Sequence, residues 1–262
     1  MDEDILLTTE GGVATVTFNR PDQRNAVNYE GWLRLTRIAD ELKADASVKV
    51  VVFRGAGDAA FSAGADIKDF ERYRNNSSDA KVYAAAFDGA LDAVEALPKP
   101  TVSMIRGFCV GGGCEFSMAT DLRIADETGK FGIPVARLGI LVGYREMRRL
   151  VDLVGPGNAS DILMTARLLD AREALRIGLV NRVVGSEEVE EVTYGLAGEM
   201  VPLAPLTQSR HKRVLRTVLR NPSLSGLTPE EVHLPFANFD SEDFQEGRRA
   251  FLERRKPGFK GK

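Results

Sequence analysis

Apolar and polar positions alternate in two different rhythms along this chain, and the rhythm identifies the elements. Ile5 to Thr9 and Val13 to Phe18 read as strands joined at Glu10-Gly11-Gly12, where glycine accepts the backbone angles of a tight turn. From Tyr29 to Lys43 the apolar residues Trp32, Leu35, Ile38, Ala39 and Leu42 recur at steps of three and four, which predicts an amphipathic helix. Val48 to Phe53 is apolar and mostly β-branched, the signature of a strand covered on both faces. A second helix is predicted from about Asp79 to Leu97, with Tyr83, Phe87, Leu91 and Val94 on one face and Pro98-Lys99-Pro100 as its stop. Thr101 to Ile105 reads as a strand, Gly107 to Gly113 as a glycine-rich turn, Cys114 to Ala119 as the start of a helix, and Asp121 to Ala125 as another strand. Strand, loop and helix in repetition predict a mixed α/β core with crossover connections. Beyond about Val184 the pattern is helical. The expected organisation is therefore a core over residues 1–200 and a helical segment over 201–262 that packs on a neighbouring subunit.

Composition narrows the class of function. With 35 Lys+Arg against 38 Asp+Glu, the net charge is −3 and the pI about 5.6. A dedicated nucleic-acid binder is usually far more basic. The two cysteines, Cys109 and Cys114, give no disulfide framework, and the two histidines, His211 and His233, provide no His-rich metal site. The acidic start Met-Asp-Glu-Asp lacks the features of a secretory leader, and no apolar run approaches the ~18 residues of a membrane span. A cytoplasmic protein is expected.

Three segments carry candidate chemistry. Gly55-Ala56-Gly57-Asp58-Ala59-Ala60 follows a strand and matches the form of a dinucleotide fingerprint, but Phe61-Ser62-Ala63-Gly64 stands where its helix should open, so nicotinamide binding is disfavoured. Ala63-Gly64-Ala65-Asp66-Ile67 and Val110-Gly111-Gly112-Gly113-Cys114-Glu115 are small-residue turns, each leading from a strand region into a helix. Unobstructed amides at two such starts, aimed at one point, would form an oxyanion hole. Alternatively, the glycines serve only as turns and Asp66 as a helix cap. Glu115, in the first turn after the glycines, suits either a dipole partner or a proton carrier. The basic stripe Ser209 to Arg213 with Arg216 and Arg220, like the basic tail from Arg248 to Lys262, reads as a solvated face or as a phosphate or RNA contact.

Taken in order, these motifs resemble the crotonase, or enoyl-CoA hydratase/isomerase, superfamily across nearly the whole chain. The matching stretches are Val16-Thr17-Phe18-Asn19-Arg20-Pro21 with Asn25-Ala26, Phe61 to Ile67, Pro100 to Gly107, Gly111 to Glu115, Phe131-Gly132-Ile133-Pro134, Gly178-Leu179-Val180, and Glu246-Gly247 with Ala250-Phe251. The resemblance implies an α/β spiral of ββα units, with the helical C-terminal segment assembling a homotrimer or a dimer of trimers. It places the oxyanion amides on Ala65 and Gly112 and a catalytic carboxylate on Glu115. Acyl-CoA contacts are implied at Arg24, Ala26, Ala63, Asp66, Ile67, Gly111 and Arg254, with coenzyme A entering as part of the substrate and no separate cofactor. The hydratases' second glutamate falls on Val135. That departure leaves hydration beside isomerisation, decarboxylation, dehydration or hydrolysis of a thioester, and beside an acyl-CoA binder without turnover. Arg137 and Tyr144, just downstream, are candidates for pairing a substrate carboxylate and donating a proton, or for exposed side chains at a helix start; Arg145 and Glu146 follow them.

Overall fold

A computed structural model describes residues 4–262. Its core is a repeated strand–strand–helix unit. The chain opens with the antiparallel hairpin β1 (Ile5–Glu10) and β2 (Val13–Phe18), followed by helix α1 (Tyr29–Ala44). Then come β3 (Val50–Gly55), β4 (Ala60–Ser62), the short α2 (Phe70–Tyr73) and α3 (Ser77–Glu95). The next turn is β5 (Thr101–Ile105), β6 (Phe108–Val110) and α4 (Gly112–Met118). It is followed by β7 (Leu122–Asp126), β8 (Lys130–Gly132) and α5 (Tyr144–Thr165). The core closes with β9 (Leu169–Asp170), α6 (Ala171–Arg176) and β10 (Arg182–Val184).

The first hairpin belongs wholly to one sheet, and from β3 onward each strand pair contributes one strand to each of two sheets. The larger sheet has the order β1-β2-β3-β5-β7-β10, parallel beyond the first hairpin; the smaller has the order β4-β6-β8-β9. Helices α7 (Val189–Met200), α8 (Pro205–Arg220), α9 (Pro229–His233) and α10 (Glu242–Leu252) complete the chain.

The continuous apolar run of β3 has the cause its composition suggested. Val51 and Phe53 face the main core, whereas Val50 and Val52 face a second layer formed with Val102, Met104, Ile124 and, from α7, Val189 and Ala197. The strands in this region are therefore covered on both sides. The predicted α1, α3 and β5 match the structure to within two residues at each end.

As the intervening Phe61-Ser62-Ala63-Gly64 led us to expect, the Gly55–Ala60 stretch opens no helix: β3 turns directly into β4. Two expectations need correction. The glycine-rich stretch from Gly107 is more than a turn, because its middle forms β6, paired in parallel with β4 and β8. Helix α4 begins two residues earlier than read, at Gly112.

The placement of α4 depends on two features. Phe116 is fully buried and makes edge-on ring contacts with Phe18 and Phe53, each at 5.1 Å between centroids; such pairs contribute roughly 0.5–1.5 kcal/mol beyond burial. Gly113 lets the helix rest against β4, since a β-carbon there would meet the Ser62 carbonyl oxygen at 2.4 Å. Gly113→Ala is therefore expected to destabilise the fold by about 1–3 kcal/mol. Urea unfolding checks this; an unchanged midpoint would mean that α4 does not need that close approach.

Candidate functional site

The β4 end and the α4 start meet backbone to backbone. Gly64 adopts φ +93°, and a β-carbon there would lie 2.6 Å from the Gly112 nitrogen; one on Gly112 would lie 3.3 Å from the Ala65 nitrogen. Only glycine tolerates both the angle and the approach. The segment's other side is occupied: the Val27 N–H donates to the Gly64 carbonyl at 2.8 Å and the Asp66 N–H to the Val27 carbonyl at 2.9 Å. This bridge does not use the Ala65 N–H. Among the described residues, neither the Ala65 N–H nor the Gly112 N–H donates a hydrogen bond. Amides inside a fold are almost always paired, so two unpaired donors side by side can be met by a ligand oxygen. The helix beyond Ala65 is smaller than expected: a 3-10 turn at Ile67–Asp69 and then the four-residue α2. The free amides, rather than a large macrodipole, give this place its character.

Glu115 lies one turn into α4, only 7% exposed, and among the described residues no hydrogen bond satisfies its carboxyl group. Burial pushes its pKa up to about 8; the carboxyl of Glu146 and, more weakly, that of Asp88 add to the rise, while the Arg74 guanidinium opposes it. Glu146, in the first turn of α5, is 4% exposed and lies 3.4 Å from the Arg149 guanidinium. Burial raises its pKa as well, helped by Asp88, against its own backbone N–H and Arg149. Burial likewise raises the pKa of Asp88, on α3, and the Asp92 carboxylate adds to the rise, while Arg145 and Arg149 oppose it. Arg74, on the loop between α2 and α3, stacks its guanidinium 3.9 Å from the Tyr83 ring centroid.

The other sequence candidates divide by position. Arg24 has a left-handed backbone and holds its guanidinium 4.9 Å over the Phe108 ring. The Ala26 carbonyl accepts from Arg20, and the Ala63 N–H donates to the Arg24 carbonyl at 2.8 Å, which ties these three segments together. Asp66 is engaged structurally: it pairs with Arg20 at 2.8 Å and caps the Lys68 N–H. Burial alone would raise its pKa, but these donors hold it below the ordinary carboxylate value. Ile67 is 67% exposed beside it. Gly111 is the residue preceding α4, and its N–H donates to the Gly132 carbonyl. Val135 starts a 3-10 turn and packs on the main core. Arg137 and Arg254 are exposed, the latter on the turn after α10. Tyr144 is 97% exposed. Cys109 and Cys114 are buried; the Cys114 thiol is pushed well up by its hydrogen bond with Cys109 and by burial, which leaves it unreactive.

Asp88 and Arg74 were not singled out from the sequence, and Glu146 was noticed without a role. A partial signal existed for Asp88, a carboxylate set between Phe87 and Leu91 on an apolar helix face. Nothing local marks Arg74.

Comparison with known proteins agrees with this architecture. Residues 8–262 match the enoyl-CoA hydratase/isomerase family. The short-chain-enoyl-CoA hydratase of Clostridium acetobutylicum is 35% identical over 260 residues, covering 99% of this chain and 98% of that protein. The crotonyl-CoA hydratase of Syntrophomonas wolfei is 35% identical over 257 residues, covering 98% of each. A solved enoyl-CoA hydratase/carnithine racemase from Magnetospirillum magneticum superposes with a TM-score of 0.95 at 37% identity, covering 100% of this chain and 97% of that one. The chain belongs to the enoyl-CoA hydratase/isomerase family and has the crotonase fold.

The raised Glu115 pKa has a consequence for stability. The unfolded carboxyl titrates near 4.5 and the folded one near 8, so between these values the native state binds more protons and stability falls as pH rises. Glu115→Gln should therefore unfold at higher urea than the parent protein at pH 8.5, by up to a few kcal/mol. The gain should shrink toward pH 5. A pH-independent difference would contradict the buried, proton-retaining carboxyl.

Proposed function

We propose that this protein is an acyl-CoA enzyme of the hydratase/isomerase type, in which the Ala65 and Gly112 amides hold the thioester oxygen and Glu115 carries the proton. The observation that supports this reading is the pair of free, adjoining amides in the same fold as a buried carboxyl with no hydrogen-bond partner among the described residues. Charge that builds on a thioester oxygen as an enolate forms is best met by donors already in place. For addition of water, the Glu115 carboxylate takes a proton from water, the oxygen bonds to the β-carbon, and the double-bond electrons move onto the thioester oxygen. The protonated Glu115 then delivers its proton to the α-carbon, so that one group does both tasks. A pKa near 8 lets both forms exist close to neutrality. Shifting a double bond uses the same shuttle without water.

Acyl-CoA contacts are assigned to Arg24, Ala26, Ala63, Asp66 and Ile67, with the basic C-terminal segment, including Arg254, reaching the nucleotide, whose phosphates suit guanidinium groups. Residues 201–262 are assigned to assembly as a homotrimer or a dimer of trimers. Phe236, Phe239, Phe251 and Leu252 are exposed there and would be covered by a neighbour. A cytoplasmic location fits the named bacterial relatives, and among the described residues no helix is long and apolar enough to cross a membrane.

Val135 favours a second reading. With an apolar side chain where the hydratases carry their other glutamate, the pocket also suits decarboxylation, dehydration or C–C hydrolysis of a CoA ester, or binding alone. A panel of enoyl, 3-hydroxyacyl, malonyl-type and cyclic β-keto thioesters, with products weighed by mass spectrometry, separates these outcomes. Addition of water to an enoyl ester is the expected result, with Glu115→Gln slower by about 10²-fold or more. Release of carbon dioxide would replace the assignment, and binding without turnover of any ester would reject it.

A further inference from the structure

A backbone N–H can serve a ligand only if the peptide that carries it is held at a fixed angle. A trans peptide is planar, with its carbonyl and its N–H on opposite sides. The Gly64–Ala65 peptide is trans, and its carbonyl is taken by the Val27 N–H at 2.8 Å. The direction of the Ala65 N–H therefore follows from how residues 24–27 lie against residues 63–66. Backbone bonds begin that placement: the Ala63 N–H donates to the Arg24 carbonyl and the Asp66 N–H to the Val27 carbonyl. It also needs an unfavourable backbone, since Arg24 and Asn25 adopt φ +50° and +56°. Such strain persists only where the surroundings over-determine it. Asn25 is fixed by accepting from the Arg20 N–H at 3.1 Å and donating to the Ala56 and Ala60 carbonyls at 3.0 and 2.7 Å.

The Arg20 side chain spans the same junction. Its Nη1 donates to the Ala26 carbonyl at 3.0 Å, and its Nη2 donates to the Asp66 carboxylate at 2.8 Å. One acceptor immediately precedes Val27 and the other immediately follows Ala65, so one rigid group ties together both segments that orient the Gly64–Ala65 peptide. Both side chains are largely buried. The other Asp66 oxygen accepts from the Lys68 N–H at 3.0 Å, which keeps the carboxylate from turning away. Gln23 also accepts from Nη2, and the Asp4 carboxylate lies 3.7 Å from Nε. A planar guanidinium reaches two acceptors at a set angle, whereas an ammonium acts as a single point charge.

We propose that Arg20 is a positioning residue which, by bridging the Ala26 carbonyl and the Asp66 carboxylate, holds the Gly64–Ala65 peptide at the angle that offers the Ala65 N–H to a thioester oxygen. This rests on the reading of the Ala65 and Gly112 amides as the site that receives that oxygen. Donors stabilise developing charge only when they are already in place, so a residue that fixes their angle acts on the reaction without touching the substrate.

The test is the carbonyl stretch of a saturated acyl-CoA, isotopically labelled at the thioester carbon, so that binding is read without reaction. Bound to the parent protein, the band should lie below its solution frequency. In Arg20→Gln and in Arg20→Lys, at saturating ligand, it should move back toward that frequency. On an enoyl thioester, kcat should fall in both by about 10²-fold, the effect of a misplaced catalytic geometry, with KM little changed. In an Asp66→Ala background, adding Arg20→Gln should move the band no further, because the bridge is already open. Asp4→Asn, which removes the more distant charge beside Arg20, should leave the band at the parent position. Urea unfolding establishes that each variant is folded, and a loss of stability alone does not change the frequency. The full parental shift in both Arg20 variants would overturn the inference, however far activity drops. A parent protein that shows no shift would reject the amide pair, and this inference with it. A parent that shows the shift, loses it in the Arg20 variants and turns over no thioester would leave the inference standing and reject the proposed reaction.

Discussion

The molecule depends on how closely two pieces of backbone approach: Gly64-Ala65 at the end of β4 and Gly111-Gly112-Gly113 at the start of α4. That approach is incompatible with side chains, as the 2.6 Å clash of a β-carbon at Gly64 makes plain. It is maintained from both sides. The parallel pairing of β4 with β6 aligns the two segments, the Val27 bridge occupies the outward hydrogen-bonding edge of residues 64–66, and Phe116 pins α4 in the core. Two amides are left without acceptors as the geometric result. The cost of leaving them unpaired is tolerable only if water or a ligand oxygen supplies what the chain does not.

Electrostatics completes the arrangement. A carboxyl buried as deeply as Glu115, with no hydrogen bond of its own among the described residues, would ordinarily be a liability. Here burial raises its pKa, the Glu146 and Asp88 carboxyls add to the rise, and the Arg74 guanidinium opposes it. Val135, packed on the main core, presents no carboxyl.

Long periodic elements were legible in the sequence, because α1 and α3 repeat their apolar positions over four or more turns and β3 opens on the apolar run Val50 to Phe53. The three-residue strands β4, β6 and β8 were not, since three residues carry no period and two of these strands adjoin glycine turns. The 22-residue α5 was obscured by Gly155 (φ +74°) and Pro156, which break its pattern in the middle. At the site, small residues revealed Ala65 and Gly112, since the absence of side chains is itself visible. Glu115 followed from its place after the glycines. Tyr144 and Glu146 were indistinguishable by adjacency; only the rotation of α5 on α4 decides that the first is exposed and the second faces inward. Arg74 depends on a loop trajectory that no local pattern encodes.

The most direct measurement is the vibrational frequency of an acyl-CoA thioester carbonyl, isotopically labelled at carbon, bound to Glu115→Gln so that no reaction occurs. Two convergent N–H donors polarise the bond, and the band should shift to clearly lower frequency than in water. A bound thioester whose carbonyl absorbs at its solution frequency would show that the Ala65 and Gly112 amides do not receive it, contradicting the account at its foundation.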